Sequence, residues 1–325
     1  MDSNTPLKRR TVLAGAAAFA ALPAWAQQEP WPAKPVRVVV AFTAGGTTDI
    51  LARAVSQKLT ERLKQTFIID NKPGAGGNIG TEMVARATPD GYTLIVNSVG
   101  PIAVNPTLYT KLNINPLVDL VPVVQIADVP NVLVVHPSVP AKTIEEFVAY
   151  AKAHPDKANY GSTGIGTSSH LSGYMLAKRT GMQVTHVPYK GADALKDLLA
   201  GRIQFMFATI PSVIQHIHSG GLRALAVSST KRSRSMPDVP TVEERGFPGF
   251  EAGSWFGFFA PKGTPDAVIA TLNKAVNESI PSLEAQMIRE GADPVGGSPE
   301  QFRQFVMKEY EKWKAVVRES GATAT

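Results

Sequence analysis

The segment Val36–Asp49, VRVVVAFTAGGTTD, places a hydrophobic run directly before two glycines and the start of a helix. Val36–Phe42 is nearly unbroken in β-branched and aromatic residues, which is typical of a strand buried on both faces of a parallel sheet. Gly45 and Gly46 allow the backbone to turn with positive φ before apolar residues follow at helical spacing. The segment therefore predicts a strand–loop–helix unit of an α/β protein.

The glycine loop of this unit has two possible roles. A helix N-terminus presents free N–H groups and the positive end of the helix dipole, so a close backbone approach at Gly45 and Gly46 would let it bind an anion. Alternatively, the glycines only make a tight turn between the strand and the helix. Both roles stay open for this segment taken alone.

The N-terminus has the pattern of an export signal. Lys8–Arg10 precede the apolar run Val12–Leu22, which ends in the small-x-small motif Ala24-Trp25-Ala26. The run is too short to span a membrane, so we expect cleavage after about Ala26 rather than a retained anchor. Arg9-Arg10 fits either a Sec signal or a twin-arginine signal.

Length and composition exclude several classes of protein. A chain of 325 residues has room for about two domains, and the absence of cysteine excludes disulfides, thiolate nucleophiles and cysteine-based metal sites. The formal charge of +6 falls to about +4 once a signal with three basic residues and one acidic residue is removed. This is too small a bias to indicate a nucleic-acid partner, and we interpret Lys231–Arg234 as a solvated loop.

Two further strands in the first part of the chain end in loops of small polar residues. Thr66–Asp70 is followed by the glycine-rich Asn71–Asn78, and Tyr92–Val96 is followed by Asn97–Gly100. The carboxyl ends of strands in an open α/β sheet lie at one edge, so these loops are expected to converge. Pro101–Pro116 is expected to be irregular.

A second glycine loop, Gly161–His170 (GSTGIGTSSH), repeats the arrangement further along the chain. The chain is expected to cross to a second lobe near Asp128–Asn131 and to return around Phe250–Ala260. This order supports two α/β lobes joined by two crossings, with a cleft between them. The predicted bounds are 1–26 for the signal, 27–129 plus 251–325 for lobe 1, and 130–250 for lobe 2.

Catalytic and cofactor motifs are incomplete. The glycine clusters satisfy neither GxGxxG nor GxxxxGK[ST], and the six histidines form no HExxH pattern, so we expect no cofactor and no metal. Gly161-Ser162-Thr163-Gly164 resembles a nucleophile elbow, but Tyr160 stands where that motif needs glycine. An exported serine hydrolase that uses Ser162 with His170 remains an alternative to a binding protein. A ligand sensor for a signalling system is another.

The loops instead concentrate neutral hydrogen-bond donors. Hydroxyls and backbone N–H groups can hold a carboxylate without a paired arginine, and such an array binds rather than reacts. Asp49 either stabilises the first helical turn, or orients loop amides or accepts from an ammonium group or a water. Lys190 either neutralises a second ligand carboxylate or is simply exposed, and His170 is either close to the site or a structural residue at a helix start.

These segments together resemble the Bug family, the periplasmic substrate-binding proteins of tripartite tricarboxylate transporters. The resemblance runs from about Trp31 to the C-terminus. It implies a two-lobed type II periplasmic-binding-protein (Venus flytrap) fold that closes around a small organic acid or related molecule, with no enzymatic activity. It also implies a monomer that delivers its ligand to two integral-membrane subunits. The segments that carry the resemblance are WPAKPVRVVVAFTAGGTTD, IIDNKPGAGGNIGTEMVARATPDGYTL, YGSTGIGTSSHL, VPYKGA and DVPTVEERGFPGFE.

The resemblance also implies where the ligand lies. One carboxylate would be held by Thr43–Thr47 and Ser162–Thr167, partly through waters, and the far end would be read by Ser98–Pro101, Lys190–Asp193 and Thr209–Ser212. This chain departs from the family in having Ala44-Gly45-Gly46 where Pro-Gly-Gly is common. The predicted ligand-binding residues are Thr43, Ala44, Gly45, Gly46, Thr47, Asp49, Asn78, Ser98, Ser162, Thr163, Gly164, Gly166, Thr167, His170, Lys190, Gly191, Ala192 and Thr209.

Overall fold

Two β-sheets organise the chain in a computed structural model that describes residues 30–320, 323 and 324. The predicted export signal, residues 1–26, lies outside the described residues, and within them no helix is both long enough and apolar enough to cross a membrane. The strands are β1 (Val36–Val40), β2 (Phe67–Asn71), β3 (Thr93–Ser98), β4 (Leu120–Val129), β5 (Asn131–Val135), β6 (Asn159–Ser162), β7 (Thr185–Pro188), β8 (Phe205–Thr209), β9 (Arg223–Val227), β10 (Ser254–Pro261) and β11 (Asp293–Gly296).

Helices separate most of these strands. They are α1 (Thr47–Leu63), α2 (Asn78–Ala85), α3 (Asn105–Leu108), α4 (Pro116–Asp119), α5 (Ile144–Ala153), α6 (Ser168–Thr180), α7 (Asp193–Leu199), α8 (Ile210–His218), α9 (Asp266–Arg289) and α10 (Pro299–Ser320). Alternation of strands and helices is the pattern of an α/β protein, as predicted.

The first sheet has the order β11-β4-β10-β3-β1-β2 and the second β7-β6-β8-β5-β9. In the first sheet β1 runs parallel to β2 and β3, whereas β10 is antiparallel to both β3 and β4. The chain leaves the first sheet at Val129, enters the second at Asn131, and returns between Val227 and Ser254. The first sheet is therefore built from two stretches of chain, 36–129 and 254–296, and the second from the single stretch 131–227.

The opening strand–loop–helix unit forms as the sequence predicts. The side chains of Val36 and Val38–Val40 are fully buried, because β1 lies inside the sheet and is covered on both faces. Helix α1 packs Leu51, Val55 and Leu59 against this sheet, which gives it one apolar face. The strand thus delivers the glycine loop to a fixed place at the carboxyl edge of the sheet.

A buried polar network joins the two crossings. The Asn131 side-chain amide donates to the Ala252 carbonyl at 2.6 Å, and the Asn131 N–H donates to the Ser228 hydroxyl at 3.0 Å. Ser228 in turn donates to the same Ala252 carbonyl at 3.2 Å. Since buried polar groups must be paired, this network ties the outgoing and returning segments to each other.

The last helix is a core element rather than a surface element. In α10, Phe302 and Trp313 are buried, and the Phe302 ring lies 5.6 Å from Trp255 in an edge-on arrangement. Glu309, also in α10, accepts from the indole N–H of Trp255 at 3.1 Å and of Trp313 at 3.0 Å. The helix therefore packs and hydrogen-bonds against the return strand β10.

Three parts of the chain differ from the sequence prediction. Pro101–Pro116 is not irregular throughout: Gly100–Val104 forms a buried π turn that leads into α3. Its prolines stand at the first positions of helical turns, where a missing N–H costs nothing. Helix α8 and strand β11 were not predicted, and β11 is a four-residue edge strand with a proline, which carries a weak sequence signal.

Candidate functional site

A cavity of about 430 Å³, part of which is open to solvent, lies where the loops of the two sheets meet. Eight of the predicted ligand-binding residues line it: Gly46, Thr47, Ser98, Thr163, Thr167, Gly191, Ala192 and Thr209. Six further residues complete the wall: Phe42, Thr48, Val99, Ser168, Ser254 and Phe256. The cavity is thus lined by both sheets, and none of its lining residues carries a charged side chain.

Three helices begin at this cavity. Gly46 precedes α1 without any side-chain cap, Thr167 precedes α6, and Thr209 precedes α8. Each helix leaves backbone N–H groups of its first turn without intrahelical partners, and each adds the positive end of its dipole. The two longer helices, α1 and α6, come from different sheets. The helix N-termini therefore offer anion-binding donors to the cavity, whose wall contains no lysine or arginine.

Hydroxyl groups add further donors to the cavity wall. The hydroxyls of Thr48, Ser98, Thr163 and Ser254 make no hydrogen bond within the described part of the chain, although all four residues line the cavity. Phe42, Val99 and Phe256 supply an apolar surface beside them. A wall of this kind suits a small molecule with at least one anionic group and a compact carbon body.

The first glycine loop touches the segment Lys190–Ala192 of the other half at the edge of the cavity. The Thr43 hydroxyl accepts from the Ala192 N–H at 2.8 Å and donates to the Lys190 carbonyl at 3.3 Å. Deeper in, the hydroxyls of Thr47 and Thr209 lie 2.7 Å apart. The cleft is therefore closed in this structure, and Thr43 and Lys190 lie at its edge rather than in its lining.

Asp49 organises the first loop rather than lining the cavity. Its carboxylate accepts from the Gly45 N–H at 3.0 Å, from Arg53 at 2.9 Å and from Asn71 at 3.0 Å. Burial by itself would raise the pKa of Asp49, but these hydrogen bonds outweigh it and the pKa lies below its ordinary value. Asp49 thus holds a loop amide in place, one of the two roles that the sequence left open.

The backbone of the first loop differs from expectation at one glycine. Gly45 has a φ of +83°, as expected, but Gly46 has a φ of −81° and is extended. The expectation of positive φ at both glycines is therefore wrong for Gly46. Gly46 instead lines the cavity, so a side chain at this position would lie beside the cavity space.

The serine–histidine pair proposed for a hydrolase does not form. The buried Ser162 hydroxyl lies 2.7 Å from His186 Nε2, whereas His170 Nδ1 accepts from the Gly166 N–H at 3.2 Å. Burial lowers the pKa of His170 to about 4 and that of His186 to about 3, with the neighbouring His170 adding to the effect on His186. No carboxylate hydrogen-bonds to either ring within residues 30–320, and Ser162 does not line the cavity.

The remaining predicted residues lie around the cavity rather than in its wall. Asn78 accepts from the Asn105 amide at 2.6 Å and does not line the cavity. Gly164 and Gly166, with φ of +139° and +81°, shape the loop that precedes α6. Ala44 and Gly45 belong to the first loop but do not line the cavity. No arrangement of histidines and carboxylates suited to a metal ion occurs among the described residues.

Sequence reasoning missed the part of the wall that comes from the return strand. Phe256 pairs with Ser98 in the antiparallel register of β10 and β3, and Ser254 starts β10 at the return crossing. The sequence places this strand more than 150 positions after Ser98. Only the pairing of β10 with β3 brings it to the cavity, and no local motif signals that pairing.

A family model and a related protein each match most of the chain. A family model described as the tripartite tricarboxylate transporter family receptor matches residues 51–322. Protein BugT of Bordetella pertussis is 39% identical over 310 residues, which are 94% of this chain and 95% of BugT.

Two solved structures are similar in both sequence and fold. Rpa4515 of R. palustris with adipate is 38% identical, with a TM-score of 0.88 over 90% of this chain and 99% of that one. The periplasmic binding protein BugD is 36% identical, with a TM-score of 0.87 over 91% and 100%. These likenesses confirm the predicted periplasmic-binding-protein fold. The chain belongs to the tripartite tricarboxylate transporter receptor family, among its Bug-type periplasmic solute-binding proteins.

Proposed function

We propose that this protein captures a small carboxylate in the cavity between its two sheets and delivers it to a tripartite tricarboxylate-type transporter. The observation that carries the proposal is the convergence of the N-termini of α1, α6 and α8 on one cavity that has free hydroxyls and no charged side chain. Neutral donors and helix dipoles together stabilise an anion without a counter-ion.

A carboxylate fits this site better than a neutral sugar, because helix N-termini favour an anion. The donors come from helix ends of both sheets, so two carboxylate oxygens can accept from different helix ends. The related Rpa4515, solved with adipate, supports a short aliphatic or similarly compact acid.

We also propose that the protein has no catalytic activity. Ser162 is buried outside the cavity wall and contacts His186, and no carboxylate in the described part of the chain orients that histidine. A nucleophile needs an accessible hydroxyl and an oriented base, and this arrangement provides neither. We infer that the protein binds its ligand without converting it.

The wider setting follows from the family. We propose export to the periplasm with cleavage of the signal after about Ala26, action as a monomer, and delivery to two integral-membrane subunits. We also propose residues 27–129 plus 251–325 as one lobe and 130–250 as the other, with the hydrogen-bonded crossings at Asn131 and Ala252 as the hinge. The support for this hinge is that the chain changes sheet at both places.

A thermal-shift screen of the purified protein tests the proposed function. The panel holds adipate, succinate, malate, benzoate, nicotinate and glutamate, each beside its neutral amide or ester. We expect at least one acid to raise the melting temperature while its neutral partner does not, since only the anion gains from the helix dipoles. Turnover of an ester that depends on Ser162, with no stabilisation by any acid, would overturn the proposal.

A further inference from the structure

Two histidines stack behind the loop that precedes α6, on the side away from the cavity. The rings of His170 and His186 are 4.1 Å apart between centroids and 21° from parallel, and Tyr160 continues the stack at 4.8 Å from His186. Neither histidine lines the cavity between the sheets. They face a separate surface depression beside α6.

Each histidine makes a hydrogen bond to the loop itself. His170 Nδ1 accepts from the Gly166 N–H at 3.2 Å, and His186 Nε2 lies 2.7 Å from the Ser162 hydroxyl. Ser162 also bonds to Gly164, donating to its carbonyl at 3.1 Å and accepting from its N–H at 3.2 Å. The two rings therefore hold both ends of the segment Ser162–Gly166.

The same segment carries the cavity residues of the second sheet. Thr163 and Thr167 flank Gly164 and Gly166 and line the cavity. The Thr167 hydroxyl donates to the Gly164 carbonyl at 2.7 Å and accepts from the His170 N–H at 3.4 Å. A change in the hydrogen bond between Gly166 and His170 would thus move Thr167, the residue directly before α6.

We propose that His170 and His186 are positioning residues that hold the loop Ser162–Thr167 in its ligand-binding form, with His170 acting through an unprotonated Nδ1. The inference rests on the proposed function, because that function makes this loop one side of the ligand site. The role differs from direct ligand contact, which the sequence suggested for His170.

The surroundings of the stack keep both rings neutral at physiological pH. The ionisable groups that face it are Tyr160 from β6, Tyr174 and Lys178 from α6, and Glu319 from α10. Glu319 is already paired with Lys178, at 2.6 Å between Oε1 and Nζ. Burial lowers the pKa of both histidines, so a proton that would turn Nδ1 of His170 into a donor is disfavoured. Protonation there would set two N–H groups against each other at Gly166.

Nitrogen NMR of the imidazoles tests this inference without any ligand. We expect His170 to be the neutral Nε2–H tautomer from pH 8 to about pH 5 and to titrate with a pKa of about 4. A His170 pKa near the ordinary value of about 6.5, or an Nδ1–H tautomer, would overturn the inference.

Two substitutions at His170 separate positioning from simple packing. His170→Asn keeps an acceptor at the Nδ1 position, whereas His170→Leu keeps bulk but leaves the Gly166 N–H unpaired. We expect His170→Leu to speed amide exchange at Gly166 and to weaken binding of the tightest acid of the screening panel by about tenfold, while His170→Asn stays near wild type. His136→Asn is the control, since His136 bonds to Ser138 away from the cavity.

The outcomes distinguish this inference from the proposed function. If wild type binds no acid of the panel, the proposed function fails, and Gly166 exchange in the two variants still decides the positioning role. If wild type binds an acid but His170→Leu matches it in both affinity and Gly166 exchange, the positioning role is wrong while the proposed function stands.

Discussion

Gly191 lies against Thr43 across the cleft. Its φ is +71°, and a Cβ added there would lie 2.4 Å from the Thr43 hydroxyl oxygen and 3.0 Å from the Thr43 backbone nitrogen. The Ala192 N–H next to it donates to that same hydroxyl. Glycine at 191 is thus required for the closed form by both conformation and close approach.

We predict that Gly191→Ala weakens carboxylate binding. Crowding against Thr43 costs about 1–3 kcal/mol in the closed form, which corresponds to roughly a 5- to 150-fold loss of affinity. Gly220→Ala is the matched control, because Gly220 has a φ of +77° and nothing within 4 Å of an added Cβ. Calorimetric titration of both variants measures the difference; equal affinities would show that the Thr43 contact does not accompany ligand binding.

At the scale of single residues, the sequence predicts which residue types lie near the cavity better than it predicts which of them touch each other. The serines and threonines of the glycine loops are recognisable as candidate donors because they follow strand ends. Which hydroxyls face the cavity depends on pairings between distant segments: Thr47 meets Thr209, and Thr43 meets Ala192. The sequence associated Ser162 with His170 because they are near in the chain, whereas the strand pairing of β6 with β7 brings His186 to Ser162.

At the scale of elements, Glu309 joins α10 to β10 by hydrogen bonding. Its carboxylate accepts from two buried indole N–H groups, those of Trp255 and Trp313, and it also pairs with Lys312. A buried donor that loses its acceptor destabilises the fold by its desolvation cost.

We predict that Glu309→Ala lowers the free energy of unfolding by about 2 kcal/mol or more, because both indoles lose their acceptor. Glu311→Ala, on the exposed side of the same helix, removes a surface pair with Lys314 and should change stability by less than about 1 kcal/mol. Denaturant unfolding of the two variants tests this. A loss in Glu309→Ala no larger than in Glu311→Ala would contradict the role of the indole contacts.

Elements with a strong periodic pattern were predictable from the sequence. The valines of β1 and the helical spacing of Leu51, Val55 and Leu59 in α1 need no tertiary information. The turn Gly100–Val104 was not predictable, because its glycine and proline composition is that of a loop and only burial makes it helical. Strand β11 exists by pairing with the edge of β4, which no local propensity favours.

At the scale of the whole molecule, function follows from how the two sheets are arranged. Helices α1 and α6 begin at loops that are more than 100 residues apart in sequence. The crossing at Pro130 and the return before Ser254 bring these loops to one cavity. The sequence predicted two lobes and two glycine loops, but the wall supplied by Phe256 and Ser254 required the position of β10 in the first sheet.

The central claim is that a carboxylate binds between the N-termini of α1 and α6. A substitution at Gly46 tests this claim directly, because Gly46 precedes α1 and lines the cavity. Its φ of −81° accepts any L-residue, and an added Cβ would approach only the Thr43 carbonyl, at 3.6 Å. Valine at this position should therefore leave the fold intact while it occupies space beside the cavity that Gly46 lines.

The decisive measurement is calorimetric titration of wild type and Gly46→Val with the best acid of the screening panel, after circular dichroism has shown that both are folded. The account predicts one-site binding to wild type and no measurable binding heat for Gly46→Val. Binding of equal affinity to both proteins would contradict it, as would a wild type that binds the neutral amide as tightly as the acid.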